Sequence, residues 1–188
     1  MSNTVSIQIL NVAAKILQKG GVIAYPTEGV YGFGCDPLNP SAIKRLLRIK
    51  HREEQKGFIL VAESWSQLIR YVAPIPEDCL ERVMATWPGP VTWVFPAARS
   101  TPPWLKKNNE SLAVRVSDHP LVQQLCRAFK APVLSTSANI QGEPPARSYE
   151  ETCQQFKEQL DMIIAGELGT LDKPTTIKDA LTGEILRD

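Results

Sequence analysis

What this chain lacks narrows its chemistry before any motif is read. It has two histidines, His51 and His119, and four cysteines, Cys35, Cys79, Cys126 and Cys153, with no C-x-x-C pair. Zinc-ligand spacing is therefore absent, and the thiols are expected to be free and buried in a reducing compartment. No run of about 18 apolar residues is available to span a membrane. The opening Met1-Ser-Asn-Thr-Val-Ser-Ile7 has neither the charged n-region nor the apolar core of a secretion signal, so a cytoplasmic protein is expected. Charge of one sign is not in excess either: 21 Lys plus Arg face 20 Asp plus Glu. No global field draws in a polyanion, and a nucleic-acid role would need a local basic patch. Candidate cations cluster at Lys44, Arg45, Arg48, Lys50 and Arg52. Neither G-x-x-x-x-G-K-[ST] nor a dinucleotide G-x-G-x-x-G stands in the loop-forming segments read below. No repeat, low-complexity tract or linker divides the chain.

What is there suits one soluble domain over residues 1–188, with 43% apolar and 22% charged residues. Ile7, Leu10, Ala14 and Leu17 fall at helical spacing, with Ser6 as N-cap and Gly20-Gly21 as a stop. Val22–Tyr25 reads as a buried strand ended by Pro26, and Asn39-Pro40 opens a second helix. Phe58–Ala62 reads as a strand, Ser64–Tyr71 as a helix, and Pro76 begins another helix. Val91–Phe95 between two prolines and Leu112–Val116 are strands, followed by a helix over Pro120–Phe129 and a short strand at Pro132–Ser135. Tyr149–Leu160 is helical, Met162–Ile164 extended, and Thr175–Arg187 a hairpin. Strands alternating with helices, closed by a hairpin, predict an α/β domain with a mixed sheet. The proline-bearing stretches 96–104 and 143–147 read as surface or cleft-rim loops, the second a candidate lid.

Four segments carry chemistry. Tyr25-Pro-Thr-Glu-Gly-Val-Tyr-Gly32 starts at a strand end, where ligands of open α/β sheets gather. Its glycines serve either a tight turn or a close approach to a ligand, and Glu28 offers a carboxylate to an amine. Lys50 and Arg52 are one residue apart. They either complement a helix C-terminus or clamp phosphate, Lys as a point charge and Arg as a fork. Lys56 follows shortly. Ser137 and Asn139 have the same spacing in Ser135-Thr-Ser-Ala-Asn139, either a capped turn or an anion seat. Arg115 inside an apolar strand needs a carboxylate, a phosphate or an exposed edge: a structural salt bridge or a substrate carboxylate.

In this order the motifs resemble the YrdC-like family of threonylcarbamoyl-AMP synthases. The resemblance runs through Tyr25–Glu28, the Lys-x-Arg and Ser-x-Asn pairs, Ser111-Leu-Ala-Val-Arg-Val-Ser-Asp-His-Pro120, Ser137–Gly142, Thr175-Thr-Ile177 and Ile185-Leu-Arg187. It covers most of the chain and implies a twisted open mixed sheet, flanked by helices, around a deep positively lined cavity. The implied reaction combines L-threonine, bicarbonate or CO2, and ATP into threonylcarbamoyl-AMP and pyrophosphate. A tRNA threonylcarbamoyl transferase complex uses that product to make N6-threonylcarbamoyladenosine at tRNA position 37.

Such a reaction needs no side-chain nucleophile, only positioning and charge neutralisation. By resemblance Lys50, Arg52, Ser137 and Asn139 are the catalytic set, with Lys50, Arg52 and Lys56 on the triphosphate. Thr27, Arg115, Ser137 and Thr175 surround threonine. Ser111, Asn139, Arg147 and Arg187 line the nucleotide. Magnesium is expected to arrive with ATP, since no carboxylate cluster announces a protein cage. Two positions depart from the pattern: Gly29 replaces a threonine common in relatives, and Arg52-Glu53 replaces Arg-Pro. The chain resembles the short form without a further C-terminal domain. Two rival readings are a non-catalytic module binding tRNA or double-stranded RNA by shape and phosphate contacts, and a relative that kept the nucleotide cavity but lost threonine specificity.

Overall fold

In a computed structural model the described residues are 5–52, 58–107 and 110–187. Lys56, and the Glu53 that marks one departure, lie outside them, as does the start of the chain through residue 4. The strands are β1 (Ile23–Pro26), β2 (Tyr31–Cys35), β3 (Ile59–Ala62), β4 (Val91–Pro96), β5 (Ser111–Val116), β6 (Val133–Ser137), β7 (Met162–Ile163), β8 (Thr176–Asp179) and β9 (Ile185–Arg187). The α-helices are α1 (Ile7–Gln18), α2 (Pro40–Lys50), α3 (Trp65–Leu68), α4 (Glu77–Met84), α5 (Pro120–Phe129) and α6 (Tyr149–Phe156). They flank one nine-stranded mixed sheet ordered β7-β1-β2-β6-β3-β5-β4-β8-β9. Its linear order leaves two edges, so the sheet is open. Pairings β3–β5, β4–β8 and β1–β7 are parallel and the others antiparallel. No helix among the described residues is long and apolar enough to cross a membrane.

The helix starts follow their sequence signals. Ser6 accepts a hydrogen bond from the Ile9 N–H, and Asn39 Oδ1 accepts from Ser41 and Ala42 N–H groups at 3.1 Å, with Pro40 as the first helical residue. α1 turns Leu10, Ala13, Ala14 and Leu17 inward, and each fully buried leucine contributes roughly 1.5–3 kcal/mol. The four cysteines are free, and Cys153 alone is not fully buried.

Alternation along the strands builds a core on each face. Ala24, Tyr31, Phe33, Leu60, Ala62, Val114 and Leu134 join one cluster, with α2 and α6 among its covers. Ile23, Tyr25, Val61 and Val133 point to the other face, where α1 and α5 cover them. The residues that continue this second face beyond those helices are Gly32, Ile59, Ala113, Arg115, Ser135 and Ser137, and all line a cavity. One face of the sheet is thus apolar where helices cover it and polar where the cavity lies.

β2 is a strand where the glycine-rich sequence after Tyr25 predicts only a loop. The turn is only Thr27–Val30, closed by Thr27 N–H to the Val30 carbonyl at 3.1 Å and by the Thr27 hydroxyl to the same oxygen at 2.7 Å. Gly34 then stands in mid-strand because a Cβ there would lie 2.7 Å from Tyr25 Cε1 and 2.8 Å from Val133 Cγ1. The region beyond Ser64 also differs: the α-helix stops at Leu68 and a 3-10 turn continues through Tyr71. α6 ends at Phe156 rather than Leu160.

Candidate active site

The cavity is assembled from distant segments by strand register. Ser137 at the end of β6 pairs with Gly32 of β2, and Val61 of β3 pairs with Arg115 of β5. Parallel pairing of β4 with β8 sets Val91 against Thr176 and so draws Thr175 beside Thr92. The β8–β9 hairpin then sets Arg187 against Ile177. Of the residues singled out in the sequence, Thr27, Arg52, Arg115, Ser137, Thr175 and Arg187 line the cavity. Four cations (Arg52, Lys107, Arg115 and Arg187) and no carboxylate face it among the described residues.

Arg115 is the most enclosed of these cations. One terminal nitrogen donates to Glu28 Oε2 at 3.1 Å, with both side chains 5% exposed. The other donates to the Thr175 and Thr92 hydroxyls at 2.9 and 3.2 Å. Its Nε–H is buried without a hydrogen-bond partner among the described residues. Glu28 also accepts from the Ser117 hydroxyl at 2.6 Å. Burial alone would raise the Glu28 pKa; the Arg115 charge and the Ser117 hydrogen bond outweigh it and hold the carboxyl below its ordinary value. Glu28 therefore orients a guanidinium from behind the cavity wall and is not presented to an amine. Of the two readings open for Arg115, the structure shows the salt bridge, with the guanidinium still facing the cavity.

The Lys50–Arg52 pair is not an extended loop with both cations on one side. Lys50 is the last residue of α2, and His51 at φ 48° turns the chain left-handed before Arg52. Lys50 is 2% exposed. Its ammonium donates to the Ser137 carbonyl, to the Asn139 carbonyl at 3.0 Å and to Asn139 Oδ1 at 2.8 Å. Burial, and then the Arg52 charge, push its pKa down to about 7. Ser137 donates to the same Asn139 oxygen at 2.7 Å, and Asn139 Nδ2 donates to the Glu143 carbonyl at 2.7 Å. The four residues are thus brought together, but Lys50 and Asn139 stand behind the lining and brace the end of β6 at Ser137. Arg52 faces the cavity, donating to the Thr136 hydroxyl at 3.3 Å with Phe58 5.4 Å beneath its guanidinium.

Three further positions fall differently from the expectation. Ser111 is buried in β5, outside the lining. Arg147 is exposed, donating to the Asp172 carbonyl. The proposed lid, 143–147, is pinned at both ends: the Glu143 carbonyl accepts from Asn139 Nδ2 and Glu143 N–H donates to the Ile140 carbonyl at 3.0 Å, while the Ala146 carbonyl accepts from Tyr31 N–H at 2.8 Å and Ala146 N–H donates to the Ala138 carbonyl at 2.9 Å. The Gly29 departure has a steric counterpart: a Cβ there would lie 2.3 Å from the Lys173 carbonyl oxygen. The sequence reading passed over Lys107, Ser135 and Thr136 as cavity residues. Ser135 and Thr136 were legible from the polar end of β6; Lys107 carried no local signal.

Comparison with known proteins bears on the family and the fold. The family model described as Telomere recombination (Sua5_yciO_yrdC) matches residues 15–188. The threonylcarbamoyl-AMP synthase of Coxiella burnetii (strain RSA 493 / Nine Mile phase I) is 49% identical over 180 residues, 96% of this chain and 97% of that one. That of Vibrio campbellii is 50% identical over 175 residues, 92% of this chain and 95% of that one. Both relatives carry the name threonylcarbamoyl-AMP synthase, which is that of an enzyme. Among solved structures, P. abyssi Sua5 complexed with L-threonine superposes with a TM-score of 0.89 at 28% identity, over 95% of this chain and 53% of that one. This chain therefore spans about half the length of that Sua5. E. coli YciO superposes with a TM-score of 0.86 at 28% identity, over 100% of this chain and 94% of that one. By sequence along nearly its whole length, and by fold, the chain belongs to the Sua5/YciO/YrdC family.

Proposed function

We propose that this chain makes threonylcarbamoyl-AMP from L-threonine, bicarbonate or CO2, and ATP, releasing pyrophosphate. The observation that carries the reading is the cavity lining, with four cations and no carboxylate among the described residues, in a chain half identical to enzymes of that name. Threonine would sit at the Arg115 wall. The threonine carboxylate would lie against the guanidinium, whose Nε–H has no hydrogen-bond partner among the described residues, with the Thr27, Ser137 and Thr175 side chains around it. The nucleotide would extend past Ser137 toward Arg52 and Arg187, with Mg2+ bound as part of the ATP complex. No group of three or more His, Cys, Asp or Glu among the described residues is arranged to hold a metal itself, and Glu28 is already engaged by Arg115 and Ser117.

The chemistry follows from placement. The threonine amine adds to CO2 and gives up a proton to solvent, forming a carbamate anion, and a carbamate oxygen attacks the α-phosphorus. The bond from that phosphorus to the bridging oxygen breaks, and pyrophosphate leaves with the negative charge. Arg52 and Arg187 neutralise that charge as it develops, while Lys50 keeps the Ser137–Asn139 loop in position. A tRNA-modifying transferase complex would consume the labile product in the cytoplasm, for position 37 of tRNA.

The test is pyrophosphate release by purified protein with MgATP, omitting L-threonine and bicarbonate in turn. Release that requires both, with threonylcarbamoyl-AMP detected by mass spectrometry, is the expected result. Equal release without threonine, or none from folded protein, refutes the reading. Salt-sensitive RNA binding without turnover would instead support a binding module.

A further inference from the structure

Lys106 and Lys107 are adjacent and meet opposite fates. Lys106 is neutralised within its own turn, its ammonium 2.6 Å from Glu110 Oε2. Lys107 lines the cavity instead and takes part in no ion pair among the described residues. Its backbone is fixed: its N–H donates to the Ser111 carbonyl at 2.9 Å, and its own carbonyl accepts from Glu110 N–H at 2.9 Å. Glu110 adopts φ 56° and its carbonyl accepts from Ala97 N–H at 2.8 Å, which ties the turn to the end of β4. Lys107 is therefore a long side chain on a backbone held by two hydrogen bonds, half-buried beside two guanidinium groups.

That placement is unfavourable in the protein alone. Burial first, then the Arg52 and Arg187 charges, lower the Lys107 pKa. Arg187 meets a neutral oxygen, donating to the Thr175 carbonyl at 2.9 Å. A ligand with several negative charges would turn the mutual repulsion into attraction, and a compact ammonium suits one oxygen of a flexible polyphosphate.

We propose that Lys107 is a phosphate-binding residue of this enzyme, closing with Arg52 and Arg187 on the two phosphates that leave as pyrophosphate. This rests on the reading that ATP is the substrate. It gives Lys107 no contact with threonine, whose wall is built by Arg115, Thr27 and Thr175. Losing the ammonium should weaken polyphosphate binding and raise the KM for ATP while leaving the KM for threonine unchanged.

The experiment is calorimetric titration of the purified protein with inorganic tripolyphosphate, which tests the seat without requiring turnover. Lys107→Gln is expected to weaken binding by about tenfold, the scale of one charge-assisted hydrogen bond at a half-exposed site. Lys107→Arg should bind within about threefold of wild type. Lys157→Gln, which removes an exposed cation from α6's C-terminal end, should bind as wild type does. Unchanged affinity in Lys107→Gln, or no binding by wild type, overturns the assignment. A tenfold loss in a protein that forms no threonylcarbamoyl-AMP from its substrates refutes the proposed reaction and leaves Lys107 as a polyphosphate residue.

Discussion

Arg115 and Lys107 line the same cavity, yet the protein treats their charges differently. Arg115 is enclosed with Glu28 in a buried pair and has hydroxyls on its other nitrogen. Lys107 is half-buried beside Arg52 and Arg187, with no ion pair among the described residues. In the first region the charges cancel within the protein, so a guanidinium is oriented before a ligand arrives. In the second, like charges are held together at a cost that a polyanion relieves. A buried pair is weak evidence for added stability, because desolvation offsets its attraction. Its use here is orientation. On the proposed function, Lys107 and its neighbouring guanidinium groups supply affinity, and the two regions divide a small carboxylate from a polyphosphate.

The largest way to break this division is Arg115→Met. It strands Glu28 in the interior, and about 3–5 kcal/mol of stability should be lost in urea denaturation at neutral pH, along with threonine-dependent turnover. A loss below about 1 kcal/mol would mean that the pair does not constrain the wall. Arg52→Gln probes the other region. It should lower kcat/KM for ATP by roughly 100-fold while the urea midpoint barely moves. If stability fell as far as activity, Arg52 would belong to the frame.

Glu28→Gln gives a smaller effect with a pH signature. At pH 7 it should cost about 1–3 kcal/mol and raise the KM for threonine. The Glu28 pKa is lowered below its ordinary 4.5 in the folded protein, so the unfolded chain binds a proton more readily. Its contribution is therefore fully present above about pH 5 and disappears as pH falls through the folded value. The stability gap between wild type and Glu28→Gln should narrow on acidification from pH 6 toward 3. A constant gap would assign the effect to packing rather than charge.

Much of the fold was legible in the sequence because local signals agreed with the tertiary outcome. Ser6 and Asn39 cap α1 and α2 through their side chains, and β4 ends where Pro96 predicts. β2 was not legible: its alternate positions are Gly32 and Gly34, the second required by the facing Tyr25 and Val133 and the first close against Thr27. From sequence those glycines read as a loop, since a strand interior ordinarily disfavours them. At the site, residue types were readable and directions were not. Lys50 and Arg52 look equivalent in sequence, but the left-handed His51 sends one into the Ser137–Asn139 loop and the other to the cavity. Lys107 was missed because its place depends on backbone hydrogen bonds to Glu110 and Ser111, which leave no mark in residue type. Glu28 was seen as a carboxylate, but its partner lies 87 residues away, and only the sheet register joins them.

The most direct test is titration with L-threonine, alone and with saturating tripolyphosphate, using the same purified protein. Separate seats in one cavity should leave the threonine Kd within about twofold, or tighten it, with tripolyphosphate present. A threonine Kd that rises in proportion to tripolyphosphate would show both ligands competing for one set of cations, and the division between the two walls would be wrong.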